Sequence, residues 1–263
     1  MICLETQEHQ GILTLTMNRP EVHNAFGDEL VGALIEALEG AAARDDLRAL
    51  VLTGAGKSFS AGADLDWMRG MAEAGEEANT RDALRLARLM RALNYLPFPT
   101  VARVNGPAFG GGVGLVACCD IAVAVDSARF GLTEARLGLA PAVISPYVVR
   151  AIGERQARRW FVSAERFDAA TAREIGLVHE TVPAGDLDAA VAGQLDLLAA
   201  AGPRAARECK ALALRIAGHD ADEQERMDQH TARLIARLRV SDEGQEGMRA
   251  FLDKRRPGWR SGD

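Results

Sequence analysis

The sequence has little of what secreted, membrane-spanning or nucleic-acid-binding chains depend on. Its four cysteines, Cys3, Cys118, Cys119 and Cys209, form no CxxC pair and no metal-like spacing with histidine. That excludes a disulfide framework and a zinc motif, and the expectation is reduced thiols, no metal and a cytoplasmic location. Long apolar runs are missing too. The longest uncharged stretch, Val104 to Cys119, is interrupted by five glycines and a proline, too short and irregular to cross a bilayer. The first ten residues show no basic segment leading into an apolar one, so no secretory signal is read. Basic charge is also in short supply. Thirty-one Lys and Arg against 37 Asp and Glu give a net charge of −6, which opposes general affinity for nucleic acid or anionic membranes. What is present is ordinary: 263 residues, 48% apolar and 26% charged, suit one large soluble domain or a domain with an appendage.

Periodicity organises the chain. Apolar alternation predicts a strand over 12–17, with Leu13, Leu15 and Met17 on one face. Leu30, Leu34, Leu38 and Ala41 share a stripe that predicts a helix over 28–42. A continuous apolar run predicts a buried strand over 49–53, ending in the turn Gly54-Ala-Gly56. Strand-like runs over 100–104 and 121–125 bracket another helix. This alternation predicts βαβ units and a mostly parallel sheet, an α/β fold. From Asp186 onward the pattern is helical, and Met227, Thr231, Leu234, Ile235 and Leu238 form a stripe. One more short helix is expected between Ser241 and Arg255. So long a helical tail must pack on the sheet domain or on another subunit. The division is read as a core over 1–195 and a helical region over 196–263.

Two motifs are set aside. Gly54-Ala-Gly56-Lys57-Ser58 ends like a phosphate-binding loop, but Val51 stands where the first glycine belongs. Gly110-Gly-Gly-Val-Gly114 offers the start of a dinucleotide fingerprint, but Leu115 replaces its last glycine.

Three segments carry the chemistry. Ser58-Phe-Ser-Ala-Gly-Ala-Asp-Leu65 and Asn105-Gly-Pro-Ala-Phe-Gly-Gly-Gly112 each follow a predicted strand and place small residues where a helix begins. Open α/β sheets bind ligands there, and small residues let backbone N–H groups approach a ligand oxygen. Two such groups on one oxygen make an oxyanion hole. The third segment is Phe130-Gly-Leu-Thr-Glu-Ala-Arg-Leu-Gly-Leu-Ala-Pro141. Together with Asn18-Arg19-Pro20…Asn24-Ala25 and the terminal Phe251-Leu-Asp-Lys254-Arg, these blocks resemble the enoyl-CoA hydratase/isomerase (crotonase) superfamily over essentially the whole chain.

The resemblance implies a spiral of ββα turns with a helical C-terminal region that forms homotrimers or dimers of trimers. It implies an acyl-CoA thioester as the partner, with coenzyme A as part of the substrate and no separate cofactor. The thioester oxyanion would be held by the N–H groups of Ala63 and Gly111, and Glu134 would be the acid/base. Substrate or CoA contacts would come from Val22, His23, Ala61, Asp64, Leu65, Trp67, Gly110, Ala142, Phe251 and Lys254. Four of these have a plainer reading as well: Trp67 as core, His23 as a surface residue, Phe251 and Lys254 as part of an amphipathic helix.

One position departs from the two-glutamate pattern of family hydratases: Gly114 stands where the first carboxylate belongs. A glutamate introduced there would supply the missing acid, provided the site has room. Ser60-Ala-Gly-Ala-Asp-Leu-Asp-Trp-Met68, the 138–146 stretch with Ala142-Val143-Ile144, and Val240-Ser-Asp-Glu-Gly-Gln-Glu-Gly247 are similar to bacterial methylglutaconyl-CoA hydratases. That similarity implies a lyase acting on a branched enoyl-CoA. A single-glutamate Δ3-Δ2-enoyl-CoA isomerase and a non-catalytic acyl-CoA- or RNA-binding oligomer are the alternatives, the last opposed by the acidic charge. Arg81, Arg85 and Arg88 recur at helical spacing, a solvated face from which one could reach a distal carboxylate.

Overall fold

Strand alternation decides the first layer. In the computed structural model, which describes residues 2–260, β1 (Leu4–His9) and β2 (Ile12–Met17) form an antiparallel hairpin. Leu13, Leu15 and Met17 turn inward while the intervening residues stay half-buried. Helix α1 (Asp28–Ala42) lays Leu30, Leu34 and Leu38 into the core, and β3 (Ala49–Gly54) follows, buried along its whole length. Helices α2 (Leu65–Glu73) and α3 (Glu76–Asn94) lead to β4 (Thr100–Val104) and the two-residue β5 (Ala108–Phe109). The short α4 (Gly111–Cys118) is apolar all round and is packed in the interior, with β6 (Ile121–Val125) after it.

β7 (Arg129–Gly131) runs into a 3₁₀ turn at Glu134–Leu137. The chain continues through α5 (Ser145–Ser163), broken at Gly153, then β8 (Arg166–Asp168), α6 (Ala169–Glu174) and β9 (Glu180–Val182). Four helices complete it: α7 (Leu187–Ala200), α8 (Pro203–Ile216), α9 (Ala221–Val240) and α10 (Asp242–Leu252). The main sheet has the order β1-β2-β3-β4-β6-β9, parallel from β2 onward, and a small second sheet has the order β5-β7-β8. The expected α/β architecture with a helical C-terminal region is present.

Strands 12–17, 49–54, 100–104 and 121–125 and helix 28–42 lie where periodicity predicts them. β1 was not anticipated, because as an edge strand it buries almost nothing and shows no apolar alternation. The apolar stripe on α9 needs correcting. Its buried face runs through Asp228, Thr231, Ala232, Ile235 and Arg239, while Met227 is exposed. Ala232 and Ile235 pack on Ala83 and Ala87 of α3 and on Val143, so the face is covered within the chain. Residues 195 and 196 both lie inside α7. The C-terminal helices are tied to the sheet by Arg48, which donates to the carbonyls of Ala199 and Ala201, and by Lys210, which donates to Asp120 at 2.8 Å. No helix among the described residues is long and apolar enough to cross a membrane.

Candidate active site

Two loops at the C-terminal ends of β3 and β4 are stitched together by their main chains. Phe59 and Ser60 donate N–H bonds to the Pro107 carbonyl at 3.1 and 3.2 Å, and Phe109 donates to Ser60 at 2.9 Å. Side chains from the opening motif brace them. Buried Asn24 donates to the carbonyls of Ala55 and Ser58, and Asn105 donates to those of Gly56 and Ser58. A short bridge then fixes the first candidate donor. Phe26 N–H donates to Gly62 O and Asp64 N–H to Phe26 O, a parallel pairing that leaves the intervening Ala63 N–H unused. The second, Gly111 N–H, opens α4 and belongs to the first helical turn, whose N–H groups have no partner within the helix.

Both donors line a cavity of about 390 Å³ that also receives Glu134. Gly110, at φ +50° and ψ −118°, adopts a conformation open to glycine. A Cβ there would lie 3.1 Å from Glu134 Oε1, a tight contact that the bare backbone avoids. Glu134 Oε2 is enclosed and has no hydrogen-bond partner. Loss of solvation pushes its pKa up to about 7, against a smaller lowering from its own backbone N–H. The deeper walls are apolar: Met68, Met71, Leu86, Val143, Ile144 and Ile235. At the lip, Arg136, Arg166, Arg255 and Arg260 are exposed, and Arg166 stands 4.9 Å over the Phe109 ring.

The cavity gathers Ala61, Ala63, Trp67, Gly110, Gly111, Glu134, Ala142 and Phe251 from the residues singled out by sequence. It does not gather Val22, His23, Asp64, Leu65 or Lys254. His23 lies on the surface with Nδ1 3.0 Å from Ser58 Oγ, and Leu65 and Lys254 are exposed. Asp64 caps α2 by accepting from Asp66 N–H, and its other oxygen pairs with Arg19 at 2.8 Å. Arg81, Arg85 and Arg88 are ion-paired on the surface with Glu77, Asp28 and Glu39, away from the cavity. Gly114 is buried, and a Cβ on it would fall 2.4 Å from Ile144 Cγ2. The place of the absent carboxylate is therefore filled by Ile144. Cys118 and Cys119 are buried thiols, and burial pushes Cys119 up to about 12. Among the described residues no group of three His, Cys, Asp or Glu could hold a metal.

The profile of the enoyl-CoA hydratase/isomerase family matches residues 7–262. The chain belongs to that family. An enoyl-CoA hydratase from Shewanella pealeana, of known structure, is 44% identical over 98% of this chain and 96% of its own, with a TM-score of 0.80. One from Mycobacterium avium is 35% identical with a TM-score of 0.85, covering 98% of both chains. The 2,3-dehydroadipyl-CoA hydratase of Escherichia coli K12 is 35% identical over 97% of each chain. As a member of the enoyl-CoA hydratase/isomerase family this protein is an enzyme, and its cavity is the candidate active site. Among the residues of that site that escaped the sequence reading are Phe26, which presses on Gly111, and Ile235 and Arg239 from α9. Of the α9 pair, Ile235 was legible only as part of a helical stripe and Arg239 not at all.

Proposed function

We infer that this enzyme adds or removes water at the 2,3-position of an enoyl-CoA thioester, with Glu134 as the acid/base. The observation that carries this is a carboxyl with one unpartnered oxygen in an apolar cavity, with a pKa of about 7, facing two main-chain segments that offer free N–H groups. In hydration, ionised Glu134 takes a proton from water as the oxygen attacks C3. Negative charge moves to the thioester oxygen, where Ala63 and Gly111 N–H receive it. The glutamic acid so formed returns the proton to C2. These steps transfer only a proton and water, so they call for no redox or metal group. The arginines at the lip suit the phosphates of coenzyme A. A branched, methylglutaconyl-type acyl group fits a site with one carboxylate, because a tertiary β-carbon eases C–O cleavage. The E. coli relative is named for an unbranched dicarboxylic enoyl-CoA, which supports a second carboxylate on the acyl group and is silent on the branch.

A second reading, Δ3-Δ2 isomerisation, is favoured by Ile144 at Gly114, which leaves no second acid to manage water. One assay separates them: 3-methylglutaconyl-CoA, crotonyl-CoA and 3-enoyl-CoA esters, followed by thioester absorbance and product mass. The expected result is hydration of 3-methylglutaconyl-CoA at a kcat/KM more than about tenfold above crotonyl-CoA. Glu134→Gln should lose about 10³-fold or more in kcat with acyl-CoA binding retained. Equal rates on both 2-enoyl esters would refute the branched preference. Positional exchange without hydration would establish the isomerase, and no turnover at all would favour a binding role. We also place the enzyme in a homotrimer or dimer of trimers; exposed Val162, Leu197, Leu212 and Ile216 on α5, α7 and α8 offer apolar contact area. A monomer in sedimentation equilibrium at micromolar concentration would rule that out.

A further inference from the structure

Within the apolar end of the cavity, among Trp67, Met71, Leu86 and Ile235, one cation is present among the described residues: Arg239, in the last turn of α9. It is 6% exposed. Burying a guanidinium is costly unless its donors are used. Nη1 is used twice, donating to Asp82 Oδ2 at 2.9 Å and to Asn79 Oδ1 at 3.2 Å, both on α3. Nε is buried and has no partner.

Nε and Nη2 form the side edge of the guanidinium, whose two parallel N–H bonds match the two oxygens of a carboxylate. That edge is unclaimed. If Arg239 served only to fasten α9 to α3, its Nη1 bonds would be enough. Asp82 is held independently, because Trp67 Nε1 donates to its other oxygen at 2.9 Å. Trp67 and Arg239 thus share one carboxylate, which fixes the arginine without using its Nε and Nη2.

We propose that Arg239 is the residue that recognises the acyl group, its free Nε/Nη2 edge binding the distal carboxylate of a dicarboxylic enoyl-CoA. This rests on the enoyl-CoA reading of the cavity and names the substrate class for it: an acyl chain carrying an anion at the end remote from the thioester. The arginines that sequence spacing offered for this task, 81, 85 and 88, face outward, whereas Arg239 lines the cavity.

The test compares 3-methylglutaconyl-CoA with the methyl ester of its distal carboxyl, which keeps the shape and removes the charge. The intact enzyme is expected to favour the free acid by about a hundredfold in kcat/KM. In the doubly substituted Arg239→Met, Asp82→Asn, which removes both charges together, that ratio should fall to about one. A native enzyme that treats acid and ester alike overturns the proposal, and so does a folded double variant that keeps the ratio. If the double variant fails to fold, Arg239→Lys decides. It keeps the charge and loses the fork, so the ratio should drop about tenfold, and an unchanged ratio overturns the proposal. Turnover of crotonyl-CoA with no preference for the acid would defeat Arg239 alone. Absence of turnover on every thioester would defeat the enoyl-CoA reading itself.

Discussion

At Glu134, one side chain links chemistry to stability. A carboxyl whose pKa rises from 4.5 to about 7 on folding is protonated more readily in the native state than in the unfolded chain. Between those values the unfolded state binds fewer protons, so stability falls as pH rises from about 4.5 and is lowest above about 7. Glu134→Gln removes this cost. It should raise Tm at pH 8, by an amount corresponding to about 1–3 kcal/mol, and leave Tm nearly unchanged at pH 4.5. A variant stabilised equally at both pH values would contradict the shift. Activity should rise through a pKa near 7 in kcat/KM, because ionised Glu134 is the proton acceptor in hydration. The motif around Glu134 was legible in the sequence, but its burial was not. That depends on Gly110 and on α10, which packs across its turn and which no local pattern connects to it. Arg239 was illegible for a related reason: a helical stripe is recognised by its apolar members, and the functional member of this one is charged.

α4 shows how an element limits what a single substitution can add. Its Gly114 looked like a vacancy for a second glutamate, yet a Cβ there would meet Ile144 Cγ2 at 2.4 Å and Ile144 Cβ at 2.9 Å. Gly114→Glu alone should therefore cost about 3 kcal/mol or more in urea unfolding and give no gain in crotonyl-CoA hydration. Paired with Ile144→Gly, which opens the space, it should recover stability and raise that rate. A stable, faster single variant would show that Ile144 yields. Strands were easiest to read where both faces are buried, as in β3, and hardest where the strand is short or at an edge, as in β1, β7 and β8. Sheet pairing, rather than composition, holds those residues extended.

Over the whole molecule, the cavity is walled by residues from Phe26 to Arg260, nearly the full chain. A division into core and tail hides this, since α9 supplies a wall and the lip includes Arg255. The join is reinforced by Lys210, whose side chain is 8% exposed and meets Asp120, which also accepts from Thr100 N–H and Oγ1. Lys210→Met should cost about 1–2 kcal/mol in urea unfolding, with KM nearly unchanged, because the contact lies away from the cavity. A large rise in KM would mean that docking of α8 sets the shape of the site.

α10 crosses the turn that carries Glu134 so closely that a Cβ on Gly247 would fall 2.3 Å from the carbonyl of Leu137, and one on Gly138 would fall 2.6 Å from that of Glu243. During synthesis this has an order in time. The oxyanion loops and Glu134 all leave the ribosome more than about a hundred residues before the helix that packs across the Glu134 turn. The nascent chain passes through a long interval in which every reacting group has been made and the turn that carries Glu134 still lacks the helix that packs across it. A chain that stops before α10 would keep its oxyanion loops and lose the helix that packs across the Glu134 turn.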